Sequence, residues 1–340
     1  MEEFKTIVSG SLEFGSQKTY DKVMKMYEHR VENYYKTDLF VEFEEQELFD
    51  PKTFILTIPR TVTTSTSKIW KNTLDLLEYL AQFALAGRII AWMVQDGIIK
   101  REATIEPKCD KVAVQAFLKG REHLNEEGKE KEAISNFDKA IAKYSRHAYA
   151  YEKRGYVKLK LEDYTGAKND FEKSKAINPN IPEPHVGLGK LKMIEKDYAN
   201  ALFELTHAIK NSIPLMPIYW QARRMKIQCH LELNQYSESL GDLKAFCNRH
   251  FDEDDPNYKH NDWAWFNYGK VLLEVGDSQQ ALDIFNKSVE SLEKSKVDID
   301  PDFLVYRGLA RKQTGKSGYK KDWTQAAKRG SKKATELLAS

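Results

Sequence analysis

Four side chains of metal-ligating type lie close together in the sequence: Cys229, His230, Cys247 and His250. A structural zinc site needs two correctly spaced ligand doublets whose side chains converge. Cys229 and His230 are neighbours on what reads as one helix, so they point about 100° apart. The spacing reads as ordinary helix residues, and no metal or other cofactor is expected. No G-x-S-x-G, phosphate-binding glycine loop or H-E-x-x-H occurs, so no catalytic residue is assigned. The acids Glu42, Glu44, Glu45, Glu47 and Asp50 offer carboxylate oxygens but lack the calcium-loop pattern. They read as a solvated hairpin that discourages edge-to-edge strand pairing. Three cysteines, Cys109, Cys229 and Cys247, read as reduced thiols of a cytoplasmic protein.

Charge is distributed unevenly. The whole chain of 340 residues carries a formal net charge of +2, too little for bulk attraction to nucleic acid. The stretch 307–340 holds ten basic residues, including Arg311, Lys312, Lys320, Lys321, Lys328, Arg329, Lys332 and Lys333. Only Asp322 and Glu336 oppose them, a surplus of eight positive charges. Such a segment fits contact with RNA, a ribosome or an acidic protein surface, or else a solvated terminal cap. Trp323, Ala326 and Ala327 give it a helical apolar face, so it is not a disordered tail.

The elements that must carry these residues repeat. In 151–179, Tyr151 and Gly155 share one helical face, and Ala167, Phe171 and Ser174 share another, with Pro179 stopping the second helix. His185, Gly189, Ala201, Leu205 and Ala208 follow at an offset of 34 residues. Upstream, Gly120, Ala133, Phe137 and Ala140 match with one residue extra. Downstream come Asn234, Tyr236, Ser239, Leu243 and Phe246, then Gly269, Gly276, Ala281, Phe285 and Ser288, then Gly308, Gly315, Trp323 and Ala326. Small residues let paired helices approach, and the large ones fill the space between them. The pattern resembles the tetratricopeptide repeat family over about 111–340.

Ahead of the repeats the pattern is mixed. Residues 4–14 alternate as a strand, with Gly10 at a bulge or kink. Ser16 caps a helix whose face is Tyr20, Val23, Met24, Tyr27, Val31 and Tyr34. Strands at 38–45 and 53–60 form a hairpin, TVTTSTS is a loop, and Ser65 or Ser67 caps a long helix from Lys68 to Gln95. Gly97 ends that helix before a strand from residue 98. The charged residues within 74–94 favour a buried helix over a membrane span, and no secretory signal is visible at the start. The fold class is α+β. An N-terminal α/β sandwich over 1–108 resembles the ferredoxin-like βαββαβ order in topology only. An all-α solenoid of about six helix pairs over 109–340 follows it. The long second helix is apolar nearly all round, so its surplus surface needs the repeats or a second copy of the chain. Two insertions, around Pro214–Pro217 and at Asp252–Asp255, read as solvated connectors.

Resemblance to the repeat family implies that the first helix of each pair lines a concave groove. That register places Arg121, then Tyr149, Glu152 and Tyr156, then Glu183 and Lys190, then Arg224 and Gln228, then Trp263, Phe266 and Lys270 along it. Some members hold a C-terminal carboxylate between Lys and Asn residues. Here Glu152, Tyr156 and Gly187 stand in those places, so that clamp is not reproduced. The expected function is a non-catalytic adaptor that grips a protein partner in the groove, with the N-terminal domain docking a second partner or self-associating as a homodimer. The alternative is an RNA- or ribosome-associated factor acting through 307–340. An enzyme centred on the N-terminal domain is the third reading, and no motif supports it.

Overall fold

The alternating stretch at the start of the chain becomes β1 (Glu3–Glu13), the centre of a five-stranded sheet. The computed structural model describes residues 2–36, 38–40, 48–294 and 298–339. It separates into two compact units, Met1–Pro179 and Asn180–Ser340.

In the first unit the chain runs from β1 into α1 (Gln17–Arg30), β2 (Phe49–Asp50), β3 (Ile55–Thr66), α2 (Ser67–Ala81), β4 (Ala86–Gln95) and β5 (Ile98–Ile105). The sheet order is β2-β3-β1-β4-β5, and every neighbouring pair is antiparallel. The succession through β4 is the expected ferredoxin-like one, with β5 added beside β4. Gly10 sits at the register shift of β1, at φ 141°, where a Cβ would fall 2.1 Å from the Arg88 carbonyl oxygen. Ser16 caps α1 by accepting the Thr19 amide at 3.3 Å. Tyr20, Val23 and Tyr27 are buried, but a wider π-turn over Val31–Tyr35 breaks the stripe and leaves Tyr34 69% exposed.

Several expectations are corrected. The helix from Lys68 to Gln95 is two elements, since α2 stops at Ala81 and Ala86–Gln95 is strand. β4 lies between β1 and β5, with Ile89, Ala91 and Met93 buried on one face and Trp92 and Val94 on the other. A strand buried on both faces has no alternation, and its apolar run mimics a buried helix. The surplus apolar surface expected of that helix is therefore the sheet centre, and this ground for self-association is removed. The polar TVTTST stretch is the second half of β3, not a loop, and Thr66 is the α2 cap, accepting the Ile69 amide at 3.3 Å. Gly97 closes a two-residue turn with Asp96, both at positive φ, linking β4 to β5. Residues 38–40, the start of the expected strand at 38–45, are not strand, and the rest of it with most of the acidic run falls on residues 41–47, outside the described residues.

Helix pairs follow. The first unit holds α3 (Val112–Leu124) with α4 (Glu130–Lys143), and α5 (Ala148–Lys160) with α6 (Tyr164–Ile177). The second holds α7 (Pro182–Ile194) with α8 (Tyr198–Lys210), α9 (Pro217–Glu232) with α10 (Tyr236–Cys247), α11 (Asn261–Glu274) with α12 (Ser278–Lys294), α13 (Pro301–Gln313) with α14 (Tyr319–Lys328), and a closing α15 (Lys332–Ala339). Within every pair except α9–α10, where Ile227 takes the place, a first-helix glycine admits the large second-helix residue. A Cβ on Gly155 would meet the Phe171 ring at 3.0 Å, and one on Gly269 the Phe285 ring at 2.6 Å. Asp163, Asp197 and Asp277 cap second helices by accepting amides three residues on.

The pairs are also stitched by ions. Arg154 meets Asp170 through two nitrogens, at 2.8 and 2.5 Å, and Asp138 at 2.6 Å. Lys158 adds a third cation to Asp170 at 2.8 Å. Arg223 and Lys226 hold Asp242, Arg307 and Arg311 hold Asp322, and His185 meets Glu204 at 2.6 Å. In each case a first-helix base reaches a second-helix acid, and all of these acids except Asp138 are shielded from water.

In the two insertions Pro214, Pro217 and the acids Asp252, Glu253 and Asp254 are exposed, as expected, but the residues beside them anchor both loops on the second unit's core. Trp220 Nε1 donates to the Pro214 carbonyl at 2.9 Å, and the Asn257 side chain donates to the Pro217 carbonyl at 3.0 Å. Phe251 is buried, 4.9 Å from the Phe246 ring and 5.6 Å from the Trp220 ring. The apolar residues that flank the acids carry the loop inward.

Candidate protein-binding surface

Within each unit a second helix packs against its own first helix and the first helix of the next pair, while the first helices α7 and α9, and α11 and α13, touch one another. The first helices thus leave one side unclaimed by any second helix. The residues expected to bind a partner divide sharply on that side.

In the first unit most of them are engaged. Arg121 ion-pairs with Glu106 at 2.5 Å and lies 5.7 Å from the Phe117 ring. Tyr149 lies under the Arg88 guanidinium at 5.0 Å. Glu152 is buried and meets the Lys153 ammonium at 3.1 Å. Tyr156 is presented, at 46% exposure.

In the second unit the face is more open. Lys190 on α7 is exposed. Arg224 and Gln228, one turn apart on α9, are half-buried. The Arg224 Nε is buried with no acceptor, and the guanidinium makes no ion pair among the described residues. Burial pushes its pKa downward, and its positive charge in turn adds to burial in lowering that of His260. Trp263 is half-buried on α11. Phe266 is spent on packing, 5.0 Å from the Phe303 ring and 5.3 Å from that of Tyr306. Lys270 lies 5.8 Å over Tyr306.

The basic terminal segment is divided by its own fold. Arg307 and Arg311 are committed to Asp322, and Arg329 pairs with Asp298 at 2.6 Å. Lys333 donates to the Tyr306 hydroxyl at 3.0 Å. Lys312 stands 5.5 Å over the Trp323 ring. Lys312, Lys316, Lys320, Lys321, Lys328 and Lys332 are exposed and have no acidic partner among the described residues. They gather at the two ends of α14, roughly 15 Å apart by its rise.

The metal-type residues do not converge. Among the described residues no three His, Cys, Asp or Glu side chains form a metal-sized group. His230 Nδ1 lies 2.9 Å from the Gln235 amide oxygen, and His250 is exposed near Asp252. Burial pushes the Cys229 thiol up to about 11 and the Cys247 thiol up to about 12, which keeps both protonated and unreactive. No described helix is long and apolar enough to cross a membrane.

Comparison with known proteins agrees with this architecture. Residues 148–181, which are α5 and α6 with the turn that follows, match the tetratricopeptide repeat family. No curated protein matches the chain in sequence. Among solved structures, YrrB, a TPR protein with an unusual peptide-binding site, is similar at TM-score 0.52 and 15% identity, covering 60% of this chain and 98% of that one. PilF of Pseudomonas aeruginosa is similar at TM-score 0.49 and 14% identity, covering 68% of this chain and 98% of that one. PilW, a type IV pilus biogenesis factor, is similar at TM-score 0.46 and 17% identity, covering 67% and 99%. The helix pairs of this chain are thus tetratricopeptide repeats in fold, and α5–α6 is one in sequence as well.

Proposed function

We propose that the chain is a non-catalytic protein-binding scaffold whose partner lies along the open side of the first helices. The observation that carries this reading is the state of that side in the second unit. Lys190, Arg224 and Gln228 form no hydrogen bond or ion pair there among the described residues, whereas the opposite side of the same helices is closed by packing and ion pairs. The peptide-binding site of YrrB, a protein of similar fold, supports it. The N-terminal sheet offers a second surface, the outer edge of β5 with exposed Ile98 and Ile99, where another protein can dock. The three free thiols fit a reducing, cytoplasmic setting.

Gln228→Trp tests the reading. The new ring fills the open side without displacing a hydrogen-bonded or fully buried group, so helix content and unfolding midpoint stay as in the parent. Partners recovered with the parent chain fall about ten-fold or more with the variant. Undiminished recovery of the same partners refutes the assignment of this face.

A second reading has its own observation, the six exposed lysines of 312–332 with no acidic partner among the described residues. If they contact phosphates, a labelled single-stranded RNA binds at low salt and is released steeply as salt rises, with a slope set by the phosphates neutralised. Replacing Lys316, Lys320 and Lys321 by Gln then lowers that slope. No binding at 50 mM salt removes this reading.

A further inference from the structure

Arg223 and Arg224 are neighbours on α9, yet they are treated differently. Their side chains leave the helix about 100° apart. Arg223 points to α10 and meets Asp242 at 2.9 Å. Arg224 has no carboxylate, although its Nε is shielded from water. In the same unit Arg307, Arg311 and Arg329 each have an acid within 2.7 Å. A half-desolvated guanidinium without a counter-charge is an unfavourable state that an incoming carboxylate relieves, and the planar fork accepts it through two hydrogen bonds.

The surroundings extend the argument. Lys190, Gln228 and Lys270 each come one residue after the core-facing position of their first helices, Gly189, Ile227 and Gly269. They form a row across α7, α9 and α11, with Arg224 one turn from its middle member. Neither lysine has an acidic partner, and Gln228 has both donors of its amide unspent, among the described residues. Acids on these faces stand a turn or more away, Glu183 in the first turn of α7 and Glu232 and Glu274 four residues beyond Gln228 and Lys270, and none of them pairs with Arg224, Lys190 or Lys270. The row therefore presents cations and an amide donor to anything laid across it.

We propose that the partner bound on this face is an extended segment with internal Asp or Glu side chains, one of which pairs with Arg224. The inference rests on the scaffold reading above and narrows it to one ligand chemistry. Successive packed helices lie about 10 Å apart, and an extended peptide rises about 3.3 Å per residue. Acids about three residues apart thus meet α7 and α9, the two of these helices that touch. A free C-terminus is not required, because the residues that would clamp one are absent.

The test uses the full chain and a random peptide library displayed between two fixed flanks, so that no ligand carries a free carboxyl end. Selected sequences are then synthesised with both ends blocked and measured by fluorescence anisotropy against the parent, Arg224→Ala, Arg224→Lys and Gln228→Trp. The expected winners are enriched in Asp and Glu. Arg224→Ala weakens them about ten-fold or more, Arg224→Lys restores part of the loss, and replacing the acids by Asn or Gln costs the parent as much as Arg224→Ala does. The unfolding midpoint of Arg224→Ala is not below the parent's, since the removed charge had no partner. Winners without acids that Gln228→Trp still blocks overturn the acidic ligand and leave the scaffold face standing. Winners indifferent to Gln228→Trp, or no winners, overturn both. A labelled RNA whose binding depends on Arg224 replaces the carboxylate by a phosphate and also overturns the proposal.

Discussion

Asp322→Ala lowers the stability of the second unit by about 3–5 kcal/mol, because it strands two guanidinium groups in a water-poor seam. Asp322 is 1% exposed and holds Arg307 at 2.6 and 3.2 Å and Arg311 at 2.7 Å. It ties α13 to α14 directly beside Trp323, whose indole donates to the Val305 carbonyl at 3.2 Å. Because each pair is buried mainly by its neighbours, loss here frays the terminal pair first. Urea unfolding and amide exchange follow it, with protection lost in α13–α15 before α7–α10. The control is Arg329→Ala, whose partner Asp298 is 96% exposed on its side chain; it costs no more than about 1 kcal/mol. Equal effects from the two variants would mean that Arg307 and Arg311 swing into solvent and that the seam contributes nothing. The prediction also bears on function, since two of the ten charges of the basic segment belong to the architecture and are not free for a partner.

What the sequence made legible is what obeys a period. Gly155, Ala167 and Phe171 and their counterparts are packing positions, and packing repeats because the same pair is stacked again. The ion pairs obey the period too. An acid stands immediately before the large core residue in Asp170–Phe171, Glu204–Leu205, Asp242–Leu243 and Asp322–Trp323. A base precedes it by 16 residues at Arg154 and Lys226. That register could have been read from the same alignment of repeats. The N-terminal domain was harder, for a different reason. β4 is apolar on both faces, so alternation, the signature that identified β1, is absent from it. The signal that divides helix from strand is Asp96–Gly97, a two-residue hairpin turn between two apolar runs that reads equally as a helix stop. The open face was partly legible. Register put Arg121 and Arg224 at comparable places, but Glu106 lies outside the repeats and only the structure shows that it claims Arg121 and that no acid claims Arg224.

Glu13→Gln removes a dependence of stability on pH that the parent shows between about pH 4.5 and 7. Glu13 ends β1, is fully buried, and accepts the Tyr144 hydroxyl at 2.8 Å. Burial raises its pKa from 4.5 to about 7, against the opposing pull of the Tyr144 hydrogen bond and the Arg146 charge. Its carboxylate in turn adds to burial in raising the pKa of Tyr144. The folded chain therefore keeps a proton over this window that the unfolded chain has already released. The stability this group contributes is complete below its ordinary value and disappears as pH rises through 7, a change of about 3 kcal/mol. His147, packed 4.5 Å from the Phe117 ring, works the other way. Burial lowers its pKa from 6.5 to about 3, so its contribution is lost as pH falls through that range. Two opposed slopes overlap in the parent, and only the difference from the variant isolates the glutamate. The free energy of urea unfolding, parent minus Glu13→Gln, should fall by about 3 kcal/mol from pH 4.5 to pH 8. A difference that stays level across that range would mean that Glu13 is hydrated in solution and that the sheet and the first helix pair are not joined through a protonated carboxyl.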